Sequence, residues 1–497
     1  LTPTSALYNS LPLTLLHLQQ LFICDDVSFS MVPVNGWEAL DRTFREHYDQ
    51  SPTIVLINCG GNRSLQDMQV PEGSKVYVID SRRPFHHENI FEGEQIMVLV
   101  DRNVFSLPEM SSVMEDGESS DSEDDSDNED ECNFSTRYWK FFKEMKKQWA
   151  KRRKNILWKY YENSWYSISV SECSVSLMLE LAAELNKATP ELMWVAAVGL
   201  NSQWTDRVIT IESYHDVCID RMRPFIHRFS PRNSGARADD LLRVSFEKEL
   251  PLAMYSHWSL YRAMAVNEHF ACKTKNWTQK GDSEVKHLLA ALGLTLNETR
   301  QKFEAMKSAR RKEVIQTLEK EMTPSFASFI AHFGYSNRVC AADVARGVAV
   351  RLESPRRVPL VERFENARGI LRCFMKSHQD YGPLVKCFDL YKVSKVAAAI
   401  NQQEVLPIGP FFLHSSTMTA SDEIMDARHF VFVFTTFLQR AFAAARRNRD
   451  RTTKPFVVSL ALSGDMQGWH IVTVVLIRSE DRSRFFDLLQ AVMEIES

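Results

Sequence analysis

From Thr53 to Pro84 the chain runs TIVLINCGGNRSLQDMQVPEGSKVYVIDSRRP, and the architecture of its first part follows from this stretch. Two short runs rich in β-branched residues, Thr53–Asn58 and Lys75–Ile79, each lead into a polar loop. Such runs are typical of strands buried on both faces, which predicts a parallel sheet between helices. Loops at the carboxyl ends of parallel strands line the ligand crevice. Asp80 therefore stands where a hydrolase would keep a metal ligand.

The flanking residues extend the same pattern. Val27–Val34 predicts a strand, Trp37–Tyr48 a short amphipathic helix, and Gln95–Val100 a third buried strand. Strands that alternate with a helix over such a span are typical of a βαβ arrangement. The fold class predicted for this part is α/β.

The bulk composition narrows the class of protein. At 497 residues, with 44% hydrophobic and 25% charged residues, the chain is too long for one core and has the composition of an ordinary globular protein. Its net charge of −4 identifies no partner. Nine cysteines without a CxxC pair argue against a disulfide scaffold and a zinc module, and fit the cytosol or nucleus. No apolar run is long enough to span a membrane.

Residues 111–136 interrupt the α/β pattern with acidic residues and serines. Such a segment buries too little apolar surface to offset its ordering entropy, so we expect a disordered loop. Ser120, Ser122 and Ser126 each have an acidic residue three positions downstream, the pattern that acid-directed kinases favour. The alternative is a loop that is merely solvated.

The charge then reverses sign. Arg137–Lys159 carries ten Lys or Arg residues against one Glu, with apolar residues on one helical face. The basic face is a candidate for contacts with single-stranded DNA phosphates through a set of five side chains: Lys147, Lys151, Arg152, Arg153 and Lys154. The alternatives are neutralisation by the acidic loop, a solvated face, or a nuclear import signal at Lys151–Lys154.

The remainder of the chain is predicted to be helical first and α/β last. The apolar residues of Met193–Leu200 predict a buried helix, and helical spacing continues through Phe326–Phe333. Strand patterns return at Leu406–Leu413, Phe456–Leu462 and Ile471–Ile477. We therefore divide the chain into five segments: 1–110, the start of an α/β domain; 111–136, the acidic loop; 137–250, the basic helix and the rest of that domain; 251–401, a helical interdomain; and 402–497, a smaller α/β domain.

The sequence contains no P-loop, GxGxxG, HExxH or GxSxG motif. The candidate metal cluster is Asp80 with His86 and His87. Two-metal phosphoesterases need several carboxylates and histidines around their ions, and Arg82 and Arg83 would place positive charge beside them. Pairing of Asp80 with a nearby Arg is the better interpretation, and we expect no cofactor and no catalytic residue.

Several sequence blocks, taken together and in order along the chain, resemble those of a known protein family. The chain resembles the cell division control protein 45 homologues of eukaryotes in the blocks LINCGGN, VYVIDSRRP, KRRKNILWKYY, LMWVAAVGLNSQW, HWSLYRAM, LGLTLNETRQKFEAM, HFGYSNRVCAADV, IGPFF and EDRSRFFDLL. This resemblance implies a fold derived from the DHH phosphoesterases related to the RecJ nuclease. It implies a parallel-sheet lobe with a helical insertion and a smaller C-terminal lobe of the DHHA1 type.

The resemblance also implies a role. Members assemble with the minichromosome-maintenance hexamer and the GINS complex into the replicative helicase, meet polymerases and other fork proteins in the nucleus, and touch single-stranded DNA; no membrane is involved. Asp80, Ser81 and Arg82 stand where active relatives have Asp-His-His, so the resemblance implies a non-catalytic scaffold. The alternatives are a residual metal-dependent single-strand exonuclease or phosphoesterase and a standalone single-stranded DNA-binding protein.

Two departures from the family pattern concern the ends. Residues 1–16 do not supply the first strand of the DHH lobe, so we expect that strand to be missing. The strand-and-helix block that usually precedes Arg478–Asp481 is also missing, so we expect an incomplete C-terminal lobe.

Overall fold

A computed structural model describes residues 28–99, scattered positions between 147 and 160, and residues 174–475. Within these ranges the gaps are 35, 48–51, 69, 82–84, 92–93, 206–208, 230–241, 322–325, 334–336, 353–357, 375–390, 409–410, 418–427, 446–453 and 462–469. The chain divides into two compact units, one of Asp41–Ser174 and one of Leu1–Leu40 with Val175–Ser497.

The smaller unit contains the predicted parallel sheet. Helix α1 (Trp37–His47) leads into it. The elements that follow are β1 (Thr53–Ile57), β2 (Lys75–Ile79), α2 (His87–Phe91) and β3 (Ile96–Val98), with a 3₁₀ turn at Gln66–Met68. The strands lie in the order β1-β2-β3, and both pairings are parallel. Val76 and Val78 of the central strand are fully buried, as expected for a strand covered on both faces.

One strand prediction in this region is wrong. Residues 28–34, within the predicted strand Val27–Val34, form no strand. Pro33 lacks the N–H that a sheet ladder needs, and Gly36 adopts a φ of 91°, which turns the chain into α1. Val32 is 46% exposed, so the apolar run that predicted a strand is not buried.

The larger unit begins with helices. Their bounds are α3 (Ser174–Glu184), α4 (Pro190–Thr205), α5 (Ile211–Val217) and α6 (Arg223–Phe229), with a π-helical turn at Cys218–Met222. Helix α4 is buried without interruption from Leu192 to Gln203. This confirms the prediction of a buried helix over Met193–Leu200, since a helix that is apolar all round must be covered on every side.

A cluster of short helices follows strand β4 (Leu242–Glu249). These helices are α7 (Leu260–Val266), α8 (Glu268–Thr274), α9 (Gln279–Ala291), α10 (Leu296–Arg300) and α11 (Ser308–Glu321), with a 3₁₀ turn at Phe303–Ala305. Leu260, Leu289 and Leu318 meet in one core. Side chains cap the first turns of helices in this cluster. At α10, Thr295 and Glu298 form a capping box, which satisfies backbone N–H groups that a helix start otherwise leaves unpaired.

The helix predicted at Phe326–Phe333 is wrong, because this segment is strand β5. It lies between β4 and β6 (Asn337–Cys340) in an antiparallel three-stranded sheet. Apolar side chains occur on both faces of β5, so local spacing does not distinguish a strand from a buried helix. Pairing with β4 settles the conformation, and this sheet joins residues on either side of position 250.

The last part of the larger unit is a second α/β region, in which helices pack on a four-stranded sheet. Its elements are α12 (Ala341–Leu352), α13 (Leu360–Phe374), α14 (Tyr391–Asn401), β7 (Val405–Ile408), β8 (Phe411–Thr417), α15 (Arg428–Ala445), β9 (Phe456–Ala461) and β10 (His470–Val475). The sheet order is β10-β9-β8-β7, with β8 and β9 parallel. Val396, Phe434 and Val458 join the helices and sheet in one core. The single strand predicted at Leu406–Leu413 is two strands, β7 and β8.

The α/β fold class is confirmed by these sheets and helices. Among the described helices, none combines the length and apolar character that crossing a membrane requires.

Two helical glycines give opposite expectations for substitution by alanine. A Cβ on Gly281 of α9 would lie 2.0 Å from the backbone oxygen of Lys275, whereas a Cβ on Gly369 of α13 meets nothing within 4 Å. We expect Gly281→Ala to lower the free energy of unfolding by ~3 kcal/mol through overpacking. Gly369→Ala should raise it by ~0.5–1 kcal/mol through lower backbone entropy of the unfolded chain. Melting temperatures of both variants measured against the wild type test this, and a Gly281→Ala variant as stable as Gly369→Ala would contradict it.

Candidate functional site

The candidate site lies at the carboxyl ends of β1 and β2. The chain leaves β1 through Asn58, which has a left-handed φ of 52° and donates its N–H to the carbonyl of Ile79 at 2.7 Å. Gly60 follows with φ 86°, and a Cβ there would lie 2.8 Å from Leu56 Cδ1. Glycine is favoured at this position because other residues rarely adopt so positive a φ.

Asn89 holds this loop together. Its Nδ2 donates to the carbonyls of Arg63 at 2.6 Å, Gly60 at 3.2 Å and Gly61 at 3.4 Å, and its Oδ1 accepts the N–H of Leu65 at 2.9 Å. The side chain is completely buried. A loop without secondary structure leaves backbone groups that still need partners, and one amide side chain supplies them here. We call residues 58–65 together with Asn89 the clasped loop.

Asp80 lies beneath the clasped loop. Its side chain is 2% exposed, and a Cβ built on Gly61 would lie 3.1 Å from Asp80 Oδ2. The N–H of His86 donates to the Gly61 carbonyl at 2.7 Å, and a Gly61 Cβ would also lie 2.8 Å from Phe85. The Gly61 backbone thus packs against Asp80 and Phe85, so the carboxylate is enclosed by protein instead of lining an open crevice.

The two histidines of the candidate metal cluster are close to each other. The rings of His86 and His87 are 4.7 Å apart between centroids, and His86 Nδ1 lies 3.6 Å from Glu88 Oε2. Burial lowers the pKa of His86, although Glu88 and Asp67 oppose that shift. Within the described parts of the chain, no group of three or more His, Cys, Asp or Glu side chains is arranged to hold a metal ion.

Asp80, Ser81 and Arg82 stand where active relatives have Asp-His-His. The structure describes Asp80 and Ser81, and Ser81 is half-buried, whereas Arg82 lies outside the described residues. Pairing of Asp80 with a nearby Arg stays a prediction. Sequence analysis missed Asn58, Asn89 and Ser174, whose Oγ donates to Asn58 Oδ1 at 2.7 Å. Asn58 could have been suspected, since Asn tolerates the left-handed conformation and here begins a turn-rich stretch, Asn-Cys-Gly-Gly. Asn89 carries no local signal.

The predicted basic side chains are described only in part. Lys147, Lys151 and Lys154 are each helical and exposed. Spacings of four and three residues place them on one helical face. Tyr160 is buried, and its hydroxyl donates to the Phe85 carbonyl at 3.0 Å. Arg152 and Arg153 lie outside the described residues, as do Ser120, Ser122 and Ser126.

Comparison with known proteins identifies a consistent set of relatives. The model of the CDC45 family matches residues 14–140 and 136–405, more than half of the chain. The human cell division control protein 45 homologue is 29% identical over 94% of this chain and 86% of its own length. The Schizosaccharomyces pombe homologue is 26% identical over 68% of this chain and 60% of its own length.

A solved structure shares the fold. The crystal structure of CDC45 from Entamoeba histolytica superimposes with a TM-score of 0.64, covering 99% of this chain and 88% of that chain at 18% identity. This similarity extends over both described units of the chain.

Removing the Asn89 amide should loosen the clasped loop. Asn89→Ala leaves three carbonyls and the Leu65 N–H without their partner, at a cost of ~2–4 kcal/mol for buried polar groups. Each 1.4 kcal/mol is a factor of ten, so we expect amide exchange at Leu65 to accelerate on the order of 100-fold. Hydrogen–deuterium exchange of the peptide spanning residues 58–68 measures this. Asn297→Ala, an exposed position on α10, is the matched control, and equal protection in both variants would contradict the role given to Asn89.

Proposed function

The chain belongs to the CDC45 family of DNA replication and cell-cycle proteins, and from this we propose that it is a non-catalytic scaffold subunit of the eukaryotic replicative helicase. The observation that carries the proposal is the family match over residues 14–140 and 136–405. The proposed partners are the minichromosome-maintenance hexamer, the GINS complex, and DNA polymerases and other fork proteins. The proposed location is the nucleus, and the proposed role covers initiation and elongation of replication.

The candidate site supports the non-catalytic part of the proposal. A metal-dependent phosphoesterase must let water and a phosphodiester reach its ions. Asp80 is instead 2% exposed, with the Gly61 backbone packed against it. The Asn89 side chain holds the loop that packs against it, through hydrogen bonds to Gly60, Gly61, Arg63 and Leu65. We propose that this edge of the sheet now has a structural role.

The exposed basic side chains support contact with single-stranded DNA as a second part of the proposal. Lys147, Lys151 and Lys154 project from one helical face, and we propose that Arg152 and Arg153 take part in the same contacts. Such a patch attracts a phosphate backbone without reading its sequence. We assign these contacts to the scaffold role, so that the subunit touches the strand that the helicase unwinds.

Two further assignments complete the proposal. Phosphorylation of Ser120, Ser122 and Ser126 by acid-directed kinases would add negative charge to the acidic loop next to the basic segment. The division into segments 1–110, 111–136, 137–250, 251–401 and 402–497 remains our proposed domain organisation.

Co-purification tests the helicase role. Tagged chain isolated from S-phase nuclei under low-salt conditions should bring down both the minichromosome-maintenance hexamer and GINS, because a scaffold subunit binds several partner proteins at once. The same isolation from G1 nuclei serves as the control. A clean isolation that contains neither complex in S phase would overturn the proposal.

The purified chain should leave single-stranded DNA uncut. Incubation of a 5′-labelled oligonucleotide with the chain and Mn²⁺, resolved on a sequencing gel, measures shortening. We expect none, because Asp80 has no neighbouring set of described carboxylates and histidines that could hold two ions. Shortening that Asp80→Ala abolishes would replace the scaffold proposal by that of a residual nuclease.

Replacement of Lys147, Lys151 and Lys154 by alanine should weaken single-stranded DNA binding. Each phosphate contact contributes about −0.7 to the slope of log affinity against log salt, so losing three should make the slope shallower by ~2. Fluorescence anisotropy with an oligo-dT probe across a salt series measures this. The matched control replaces three exposed lysines elsewhere, Lys75, Lys280 and Lys307, and an equal effect of both sets would assign binding to overall charge.

A further inference from the structure

A turn of residues 250–258, which we call the junction turn, leads from the end of β4 into the helical cluster that starts with α7. The turn belongs to the core of that cluster, because Leu250 and Tyr255 share this core with Leu260. Met254 in the middle of the turn is fully buried and has a left-handed φ of 55°. A residue with a side chain keeps such a conformation only where surrounding contacts fix it.

Two buried carboxylates supply those contacts. Asp343 Oδ1 accepts the N–H of Met254 at 3.0 Å. Glu249 Oε1 accepts the N–H of Leu250 at 3.2 Å and the hydroxyl of Tyr255. The side chains of Glu249 and Asp343 are 1% and 6% exposed. A carboxylate so deeply buried keeps its charge only if cations and hydrogen bonds compensate for the lost water.

The compensation for Glu249 is incomplete. Arg338 Nη2 lies 2.8 Å from Glu249 Oε2. The guanidinium of Arg338 is shared, however, because it donates to Glu247 Oε2 at 3.4 Å and to Tyr255 Oη at 3.5 Å. Among the described residues, no donor is aligned for a hydrogen bond to the buried Glu249 Oε2. Buried polar atoms are rarely left in this state, and a proton on Oε2 would remove the charge from the uncompensated oxygen.

The electrostatics of the cluster agree with this geometry. Burial raises the pKa of Glu249 to about 7; Arg338 and the N–H of Leu250 oppose the rise, and Asp343 and Glu247 add to it. The Glu249 carboxyl therefore exchanges its proton near neutral pH, whereas an ordinary carboxyl is fully ionised there.

Other titratable and charged groups come from each element around Glu249: Glu247 on β4, His332 on β5, Arg338 and Cys340 on β6, Asp343 and Arg346 on α12, and Tyr255 and His257 in the junction turn. Burial lowers the pKa of His257 to about 4 and raises that of Cys340 to about 12. The hydrogen bond with His332 holds the pKa of Glu247 at about 2. These three groups keep one charge state around pH 7.

We propose that the junction turn is a proton-dependent latch, which stays closed while Glu249 carries a proton and opens more readily once Glu249 is ionised. In the open turn the Glu249 carboxyl reaches water and releases its proton to the solvent. Opening also separates the Met254 N–H from Asp343, so exchange of this amide reports the open state. The proposal concerns the connection between β4 and α7 and does not depend on the helicase role.

The direction of the pH effect follows from the two states of Glu249. Its pKa is about 7 in the closed turn and returns to the ordinary 4.5 in water. Protonation therefore stabilises the closed turn fully below pH 4.5, and this stabilisation is lost as the pH rises through about 7. Between pH 6 and pH 8 the open fraction should rise roughly tenfold.

Hydrogen–deuterium exchange of the purified chain at pH 6, 7 and 8 measures the open fraction. Labelling times are scaled to the hydroxide concentration, so that only changes in structural protection remain. We expect the peptide covering residues 250–258 to lose protection roughly tenfold between pH 6 and pH 8. The peptide covering residues 192–203 of the buried helix α4 is the internal reference and should keep its protection.

Two variants assign the proton. Glu249→Gln keeps the shape of the side chain without a titratable group, so the protection of residues 250–258 should no longer change between pH 6 and pH 8. His332→Gln is the matched control, because histidine is the side chain that ordinarily titrates in this range, and it should keep the tenfold change. Circular dichroism and melting temperature establish that both variants are folded, and the wild-type measurement decides by itself if Glu249→Gln is not.

Four results would overturn the proposal. Equal protection of residues 250–258 at pH 6 and pH 8 in the wild type would show that no proton controls the turn. A tenfold change that persists in Glu249→Gln, or that disappears in His332→Gln, would assign the proton to another group. An equal loss of protection in α4 would show that pH acts on the whole unit and not on the junction turn.

Discussion

The hydrogen bonds of the Asn89 side chain are the interaction on which the end of the parallel sheet depends. The loop after β1 passes over the carboxyl end of β2 through two glycines and is too irregular to satisfy its own carbonyls. One buried amide accepts from Leu65 and donates to Gly60, Gly61 and Arg63. The loop can then pack directly on Asp80, so the same contacts that stabilise the sheet also close the position where a metal ligand would have to be accessible.

A second buried polar network organises the larger unit. Glu249 at the end of β4 is 2% exposed and lies 2.8 Å from Arg338 Nη2 of β6, while the hydroxyl of Tyr255 donates to its other oxygen. Burial raises the pKa of Glu249 to about 7, against the opposing effect of Arg338. Removing one partner from such a buried pair is costlier than replacing both. The pair therefore links the two outer strands of the sheet, β4 and β6.

Much of the architecture could be predicted from local patterns, and the errors have a common cause. The runs Thr53–Asn58 and Lys75–Ile79 contain the parallel strands β1 and β2 as predicted, although only Leu56 and Ile57 of β1 are buried, and α4 is buried as its uninterrupted apolar sequence indicated. The strand predicted at Val27–Val34 and the helix predicted at Phe326–Phe333 were wrong, because apolar runs of this length are compatible with more than one structure. Pro33 and the exposure of Val32 rule out a strand in the first case, and pairing with β4 imposes a strand in the second. For the candidate site, Asp80 was found from its position after a strand, but nothing around Asn89 in the sequence indicated its role.

The α/β class, the burial of the central strand β2 and the family to which the chain belongs could all be predicted from the amino-acid sequence, because they depend on residue periodicity and on blocks of neighbouring residues. The packing of distant segments was needed to establish that Asp80 is enclosed, that Asn89 closes the loop, and that Phe326–Phe333 is a strand. These features depend on which distant backbone and side-chain groups satisfy one another's hydrogen bonds and charges. That pairing is settled when the chain packs, and no local pattern of residues records it.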